Sequence, residues 1–285
     1  MRAWDAGRWL LLATLWSLQY IFMRLSVPTF GPGIVADGRA IFSALFLVPW
    51  MIFVTREAIG LRLHWRDQLM VALVNNVLPF LCFAYAASGI PASYLAVMNG
   101  MVPLWSAVIA APVLKEPLGA RRIIGFVLGI AGVALIVNLG PVEPDGRTVL
   151  AALAGMLGAA FWGWAGVVIR QRTGRVPALS LATGSILFCL LILSPAWVQV
   201  PPPSAWTPTA VGALIALGLL CSGLAYLPFF TLVRDIGPTR TLTVGLAVPV
   251  LGIFWGWLLL GETVTAPMLV GAGLVLLALA LVMRR

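Results

Sequence analysis

Apolar residues run in long unbroken stretches along this chain, and polar residues gather at the breaks between them. A helix that crosses a ~30 Å hydrocarbon layer needs about 20 mostly apolar residues. The runs that meet this length are 9–27, 34–54, 68–88, 92–113, 121–139, 148–170, 178–198, 209–231, 239–260 and 266–283. The breaks carry turn chemistry, as in "PTFGPG" at 28–33, "GPVEPDG" at 140–146 and "PPPSAWTP" at 201–208. Pro91 and Pro238 suit the first turn of a helix, where a missing N–H costs nothing. The runs are too long for barrel strands and lack their alternation. The pattern predicts an all-α membrane protein with ten transmembrane helices.

A second pattern overlies the first. "KEPLGARRIIG" at 115–125 is answered by "GETVTAPMLVG" at 261–271, with Glu116 matching Glu262 and Gly125 matching Gly271 at an offset of 146 residues. The same offset, with no gap, pairs Trp16 with Trp162, Arg24 with Arg170 and Phe42 with Phe188. It also pairs Pro49 with Pro195, Phe83 with Phe229, Ile90 with Ile236 and Pro103 with Pro249. Apolar runs resemble one another by chance, but coincident Trp, Pro and Glu do not follow from hydrophobicity, so the pattern reads as an internal duplication. The predicted units are 1–140 and 147–285, five spans each. An odd number of spans makes the second unit enter the membrane from the opposite side, so the units are predicted to be inverted-topology repeats.

Composition agrees with lipid as the main solvent: 61% of the 285 residues are hydrophobic, 9% are charged, and the mean hydropathy is +1.04. The net charge of +9 does not point to nucleic acid, because the cations are spread among breaks rather than gathered in one block. Placed on the ten spans, fifteen of the Lys and Arg residues fall on the side of the N-terminus. Only Arg24, Arg39 and Arg147 fall opposite. The positive-inside rule then predicts both termini in the cytoplasm. The apolar start continues past the length of a signal core without a small-residue cleavage site, so it is read as a retained first span. Cys82, Cys189 and Cys221 all lie within apolar runs, and neither a disulfide framework nor a metal site is expected.

Polar groups within a membrane bundle are costly and tend to face its interior. The first span offers Trp16, Gln19, Tyr20 and Met23, spaced to share one helix face. The third offers Asn75, Asn76, Pro79, Phe80 and Phe83, and the fourth Asn99, Pro103 and Ser106. The second unit contributes Trp162, Trp164, Ser222 and Tyr226. Read functionally, these residues line a cavity in which rings bury apolar parts of a small molecule and amides bind its polar groups. Read structurally, the amides join neighbouring helices and Trp16 and Trp162 pack at the interface of the repeats. Pro103 and Pro249, read as mid-helix prolines at matching positions, are either hinges or tolerated bends. Asp37 and Arg39 form an outer gate or sit among headgroups, the second being the favoured reading. Glu116 and Glu262 are read as acceptors at helix N-termini. Trp4, Trp9 and Trp65 are read as interfacial anchors. The GxxxG patterns at Gly125–Gly129 and Gly252–Gly256 permit close helix approach. They leave a monomer and a weak homodimer both open.

Three stretches carry a family resemblance: "LWSLQYIFMRL" at 15–25, "VPLWSAVIAAPVLKEPLGARRIIGFVLGIAGVALIV" at 102–137 and "VPVLGIFWGWLLLGETVTAPMLVGAGLVLLALALV" at 248–282. With ten spans in two halves, the chain resembles the EamA-type members of the drug/metabolite transporter superfamily over nearly its whole length. YddG-type amino-acid exporters are among the members it resembles, though no motif isolates that subgroup. The resemblance implies a bacterial inner-membrane transporter with a cavity between the halves, to which the fourth and ninth helices contribute. It implies no cofactor.

An enzyme would need a nucleophile, base or metal cluster at a membrane edge, and the only histidine, His64, lies in a break without metal-ligand neighbours. No GxxxxGK[ST] phosphate loop occurs. The expected activity is therefore export of small amphipathic metabolites, amino acids first and aromatic ones among them, by alternating access. The expected partners are a small-molecule substrate and membrane lipids. A lipid flippase and a non-transporting membrane scaffold remain the alternatives.

Overall fold

Residues 3–115, 119–140, 145–172, 174–241 and 243–283 are described in a computed structural model of the chain. Among them the regular elements are helices, with no strand. The first half holds α1 (Ala3–Pro49), α2 (Leu61–Val71), α3 (Leu78–Gly89), α4 (Ala92–Asn99), α5 (Val102–Leu114) and α6 (Ala120–Leu139). The second holds α7 (Gly146–Arg172), α8 (Ala178–Leu193), α9 (Pro208–Gly218), α10 (Tyr226–Ile236), α11 (Pro238–Thr241), α12 (Val244–Leu260) and α13 (Ala266–Met283). Three π-helical segments extend or join these helices, at Trp50–Thr55, Ala72–Val77 and Leu219–Leu224.

Among the described residues seven helical runs are long and apolar enough to cross a membrane, and α12 and the last helix form shorter apolar ones. The chain is a helical membrane protein. Its longest run, Trp4–Thr55, has 52 residues, far more than one crossing requires. Gly31 interrupts it with φ 75° and ψ 164°, a conformation that suits a residue without a Cβ. The predicted break at 28–33 is thus a kink centred on one glycine, with helix on both sides.

The predicted fourth span is divided. α4 ends at Asn99, the chain turns at Gly100 and Met101, and α5 begins at Val102. Pro103 therefore stands in the first turn of α5, where its missing N–H breaks no helix bond. The mid-helix position expected of it is wrong, because the helix has already ended before the proline. Pro249, by contrast, does lie inside α12. A Cβ on Gly100 would meet Pro249 Cγ at 3.2 Å, so the turn and the proline are neighbours.

Close approach between helices depends on missing side chains. α4 crosses α12 where Gly252 lies against Ala96 so closely that an added Cβ would overlap the alanine's. α6 runs along α13. There a Cβ on Gly125 would stand 3.0 Å from the Ala278 carbonyl oxygen, and one on Gly271 would stand 2.5 Å from that of Gly132. Both GxxxG patterns are thus used within the chain. Gly256 makes room for Glu262, whose carboxylate accepts the backbone N–H groups of Ala92 (2.7 Å) and Ser93 (3.0 Å) and the Ser93 hydroxyl. This is the helix N-terminus role expected of Glu262; Glu116 lies outside the described residues.

Leu12, Tyr20, Met23, Phe83, Leu95, Met98, Leu217, Val248 and Leu279 belong to one buried cluster, so both halves of the chain share a core. The outer surface is apolar as well: Ile123, Ile124, Val127, Leu150, Leu153, Leu157, Leu269 and Val270 are all exposed. Such a surface would drive aggregation in water and is at home against acyl chains.

The glycine contacts give a paired prediction. Gly271→Val forces a side chain onto the α6 backbone and should lower the melting temperature of detergent-solubilised protein, at a cost of at least ~1–3 kcal/mol. Gly273→Val, where a Cβ would meet nothing within 4 Å, should melt close to the parent. Fluorescence-detected size-exclusion melts compare the two, and equal melts would contradict the packing described.

Candidate functional site

Hydrocarbon offers buried polar groups no partners, so the chain must supply them. Asp37 and Arg39 lie on α1 beyond the Gly31 kink and are 1% and 5% exposed. They are interior residues, neither among headgroups nor paired as a gate. Among the described residues no ion pair joins them or brings another carboxylate to Arg39. Asp37 Oδ2 accepts from Trp197 Nε1 at 2.6 Å, and its Oδ1 has no partner.

Arg39 is the hub of a polar and aromatic cluster. Its Nε donates to Ser222 Oγ at 2.6 Å and its Nη2 to Gln19 Oε1 at 2.8 Å. Its guanidinium lies 4.0 Å over the Phe80 ring and 6.0 Å from that of Trp162, a geometry for cation–π attraction. Trp162 stacks on Phe83 with centroids 4.5 Å apart and donates to the Asn75 carbonyl at 2.9 Å. Phe83 in turn meets Tyr20 at 5.6 Å. Gln19 donates to the Trp16 carbonyl at 2.7 Å, and the Trp16 ring is 5.6 Å from Phe229. Asn75 donates to Asn76 at 3.0 Å, and Asn76 to Ser185 Oγ at 2.9 Å. Tyr226 packs against the apolar cluster that holds Phe80 and stacks on Phe230 at 5.6 Å.

The structure therefore brings together Trp16, Gln19, Tyr20, Asn75, Asn76, Phe80, Phe83, Trp162, Ser222 and Tyr226. The other candidates lie apart from this network. Asn99 is half-buried at the end of α4. Ser106 faces Gly163 and Gly166 of α7, a helix-packing position. Trp164 packs on the cluster around Val71 and Val74. Trp9, expected among headgroups, donates to Thr243 Oγ1 at 3.0 Å. Two surface clefts are also remote, one lined by Trp4, Asp5, Arg8 and Asp235 and one by residues around His64. Among the described residues no His, Cys, Asp or Glu group has the composition to hold a metal ion.

Two of the π-helical segments lie in this cluster. Ala72–Val77 carries Asn75 and Asn76, and Leu219–Leu224 carries Ser222. A π turn shifts the side chains that follow it and recurs at functional positions. The contacts also come in related pairs. Trp16–Phe229 becomes Trp162–Phe83 when 146 is added to one number and taken from the other. Arg39–Ser222 becomes Ser185–Asn76, and Gly125–Ala278 becomes Gly271–Gly132.

Arg39, Ser185 and Trp197 were not among the predicted site residues. A usable signal was present for the first two: the same offset that pairs the landmarks puts Arg39 opposite Ser185 and Asn76 opposite Ser222, all polar within apolar runs.

The model of the EamA-like transporter family matches residues 8–138 and again 149–284. The chain belongs to the EamA-like transporter family. It is thus a membrane transporter of the EamA type. Among curated members similar to it is the uncharacterized transporter YoaV of Bacillus subtilis, 22% identical over 92% of this chain and 90% of that one. Protein PecM of Dickeya dadantii is 26% identical over 94% of this chain and 88% of its own. A Salmonella typhimurium protein named "Probable amino-acid metabolite efflux pump" is 24% identical over 95% and 91%. A solved crystal structure aligns with 99% of this chain and 96% of its own with a TM-score of 0.67 at 19% identity, a likeness of fold.

Trp162 joins the stacked rings to the Asn75 carbonyl, so its substitutions should separate in size. Trp162→Ala should cost roughly 3 kcal/mol, as large core truncations do. Trp162→Phe keeps a ring but loses the hydrogen bond and should cost about 1 kcal/mol. Thermal melts in detergent read the order, and a parent-like Trp162→Ala would remove Trp162 from the network.

Proposed function

We propose that this EamA-type transporter exports small amphipathic metabolites by alternating access, with amino acids, aromatic ones included, as the first substrate class. In this reading the Trp4–Thr55 run supplies two crossings, one on each side of Gly31. The shorter α12 and α13 complete ten crossings, arranged as inverted five-helix halves over 1–140 and 147–285. It is a carrier rather than an enzyme, in a bacterial inner membrane with both termini in the cytoplasm. The excess of Lys and Arg on the N-terminal side supports that orientation.

The reciprocal contacts carry the reading. An aromatic pair, a polar pair and a backbone contact each have a counterpart under a single exchange of halves. A twofold axis between similar units generates such exchange. Inverted halves that swap their packings convert an inward opening into an outward one. The Arg39 cluster draws on both halves, and Gln19, Tyr20, Arg39 and Ser222 at its centre are buried, as suits an occluded step. Its rings and amides suit a ligand with an apolar body and polar ends. The efflux activity in the Salmonella relative's name supports amino acids as a starting point. Pro249 and the turn at Gly100 and Met101 are the candidate hinge, the turn standing in for Pro103.

Purified protein in liposomes should exchange labelled L-phenylalanine or L-leucine above protein-free vesicles, and faster with the same amino acid trapped inside. Movement of neither these nor other amino acids would sink the substrate assignment. A lipid scrambling signal without amino-acid exchange would favour a flippase.

A further inference from the structure

The hydrogen bonds of Arg39 leave the cluster unbalanced. A guanidinium carries five N–H donors and stays protonated in proteins. Ser222 and Gln19 take one edge of the fork, through Nε and Nη2. Nη1 is buried with no partner, and so is the hydroxyl of Tyr20, whose ring meets Phe83 in the same cluster. Both accepting groups are neutral. The faces of Phe80 and Trp162 attract a cation but accept no strong hydrogen bond.

Holding the helices together does not require this charge. The counterpart of Arg39 in the other half is Ser185, and that of Ser222 is Asn76. Asn76 and Ser185 make the equivalent bond at 2.9 Å with no ionised group. A buried cation with no anion is costly, more so in a bundle surrounded by hydrocarbon. The equivalent helix contact is therefore made without a positive charge, and among the described residues no acceptor meets Nη1 of Arg39.

We propose that Arg39 is the anchor for a carboxylate on the transported molecule. Nη1 and the Tyr20 hydroxyl donate to the carboxylate oxygens, while Phe80 and Trp162 hold the apolar remainder. The inference rests on the transporter reading and narrows its substrate class to monocarboxylates with an apolar body, free amino acids included. Decarboxylated amines and carboxamides are excluded from it. An Arg–carboxylate pair is directional and stronger than a neutral hydrogen bond, so loss of the acid should cost far more affinity than loss of a methylene.

The test uses the intact protein in detergent and in liposomes, with L-phenylalanine, L-leucine, phenylacetate and benzoate as acid probes. Phenylalaninamide and phenethylamine are the matched probes without a carboxylate. On the parent protein, which needs no substitution to fold, at least one acid should bind tenfold or more tighter than its matched amide or amine. Arg39→Gln should weaken that acid at least tenfold and erase the preference. Arg39→Lys should retain part of it, and Tyr20→Phe should weaken the acid severalfold. An equal or reversed preference in the parent protein overturns the anchor, as does an acid preference that survives in folded Arg39→Gln. The two readings fail separately. Exchange of amines or amides without acid preference would keep the transporter and sink the anchor. Arg39-dependent acid binding without exchange in liposomes would keep the anchor and sink the transporter.

Discussion

A polar group buried in a bundle that hydrocarbon surrounds is matched by the chain or goes unmatched. That constraint organises this protein. The Asn76 amide finds Ser185, the Trp162 indole finds the Asn75 carbonyl, and the Glu262 carboxylate finds the start of α4. These pairings tie together parts of the sequence 87 to 170 residues apart, and they accompany glycine-dependent close approaches between helices. The cluster around Arg39 belongs to the same scheme, with one difference: its donors outnumber its acceptors.

The two halves are alike where they hold each other and unlike where they carry charge. Trp16 against Phe229 and Trp162 against Phe83 do the same packing work on either side. Arg39 and Ser185 occupy equivalent places, yet only one is ionised. A structural scaffold repeated twice tolerates such divergence at positions that do not maintain the fold, and those positions are where a central ligand would be read.

Much of the fold was legible in the chain because lipid leaves little choice: long apolar runs must be helices. Helix ends were less legible. The break at Gly31 leaves helix on both sides, and Pro103 was misplaced because a turn at Gly100 and Met101 ends α4 just before it. Pro249 and Val275 pack beside this turn, a neighbourhood that local sequence does not show. The aromatic and amide members of the cluster were readable as costly groups within apolar runs. The π-helical segments that carry Asn76 and Ser222 were not, since a π turn leaves no mark in the hydrophobic pattern. A cation near the start of an apolar run ordinarily sits among headgroups; the interior position of Arg39 follows from Gln19 across the kink of α1 and from Ser222, 183 residues away, closing on it.

In the proposed arrangement the halves are mounted upside down to one another across this cluster. Ala120 and Ala266 are related by the 146-residue offset, open α6 and α13 respectively, and are both exposed. In a background lacking Cys82, Cys189 and Cys221, Ala120→Cys and Ala266→Cys can be labelled singly with a membrane-impermeant maleimide in oriented vesicles. Inverted halves predict labelling from opposite faces, position 120 from the cytoplasmic side and position 266 from the other. Labelling of both positions from one face would contradict it.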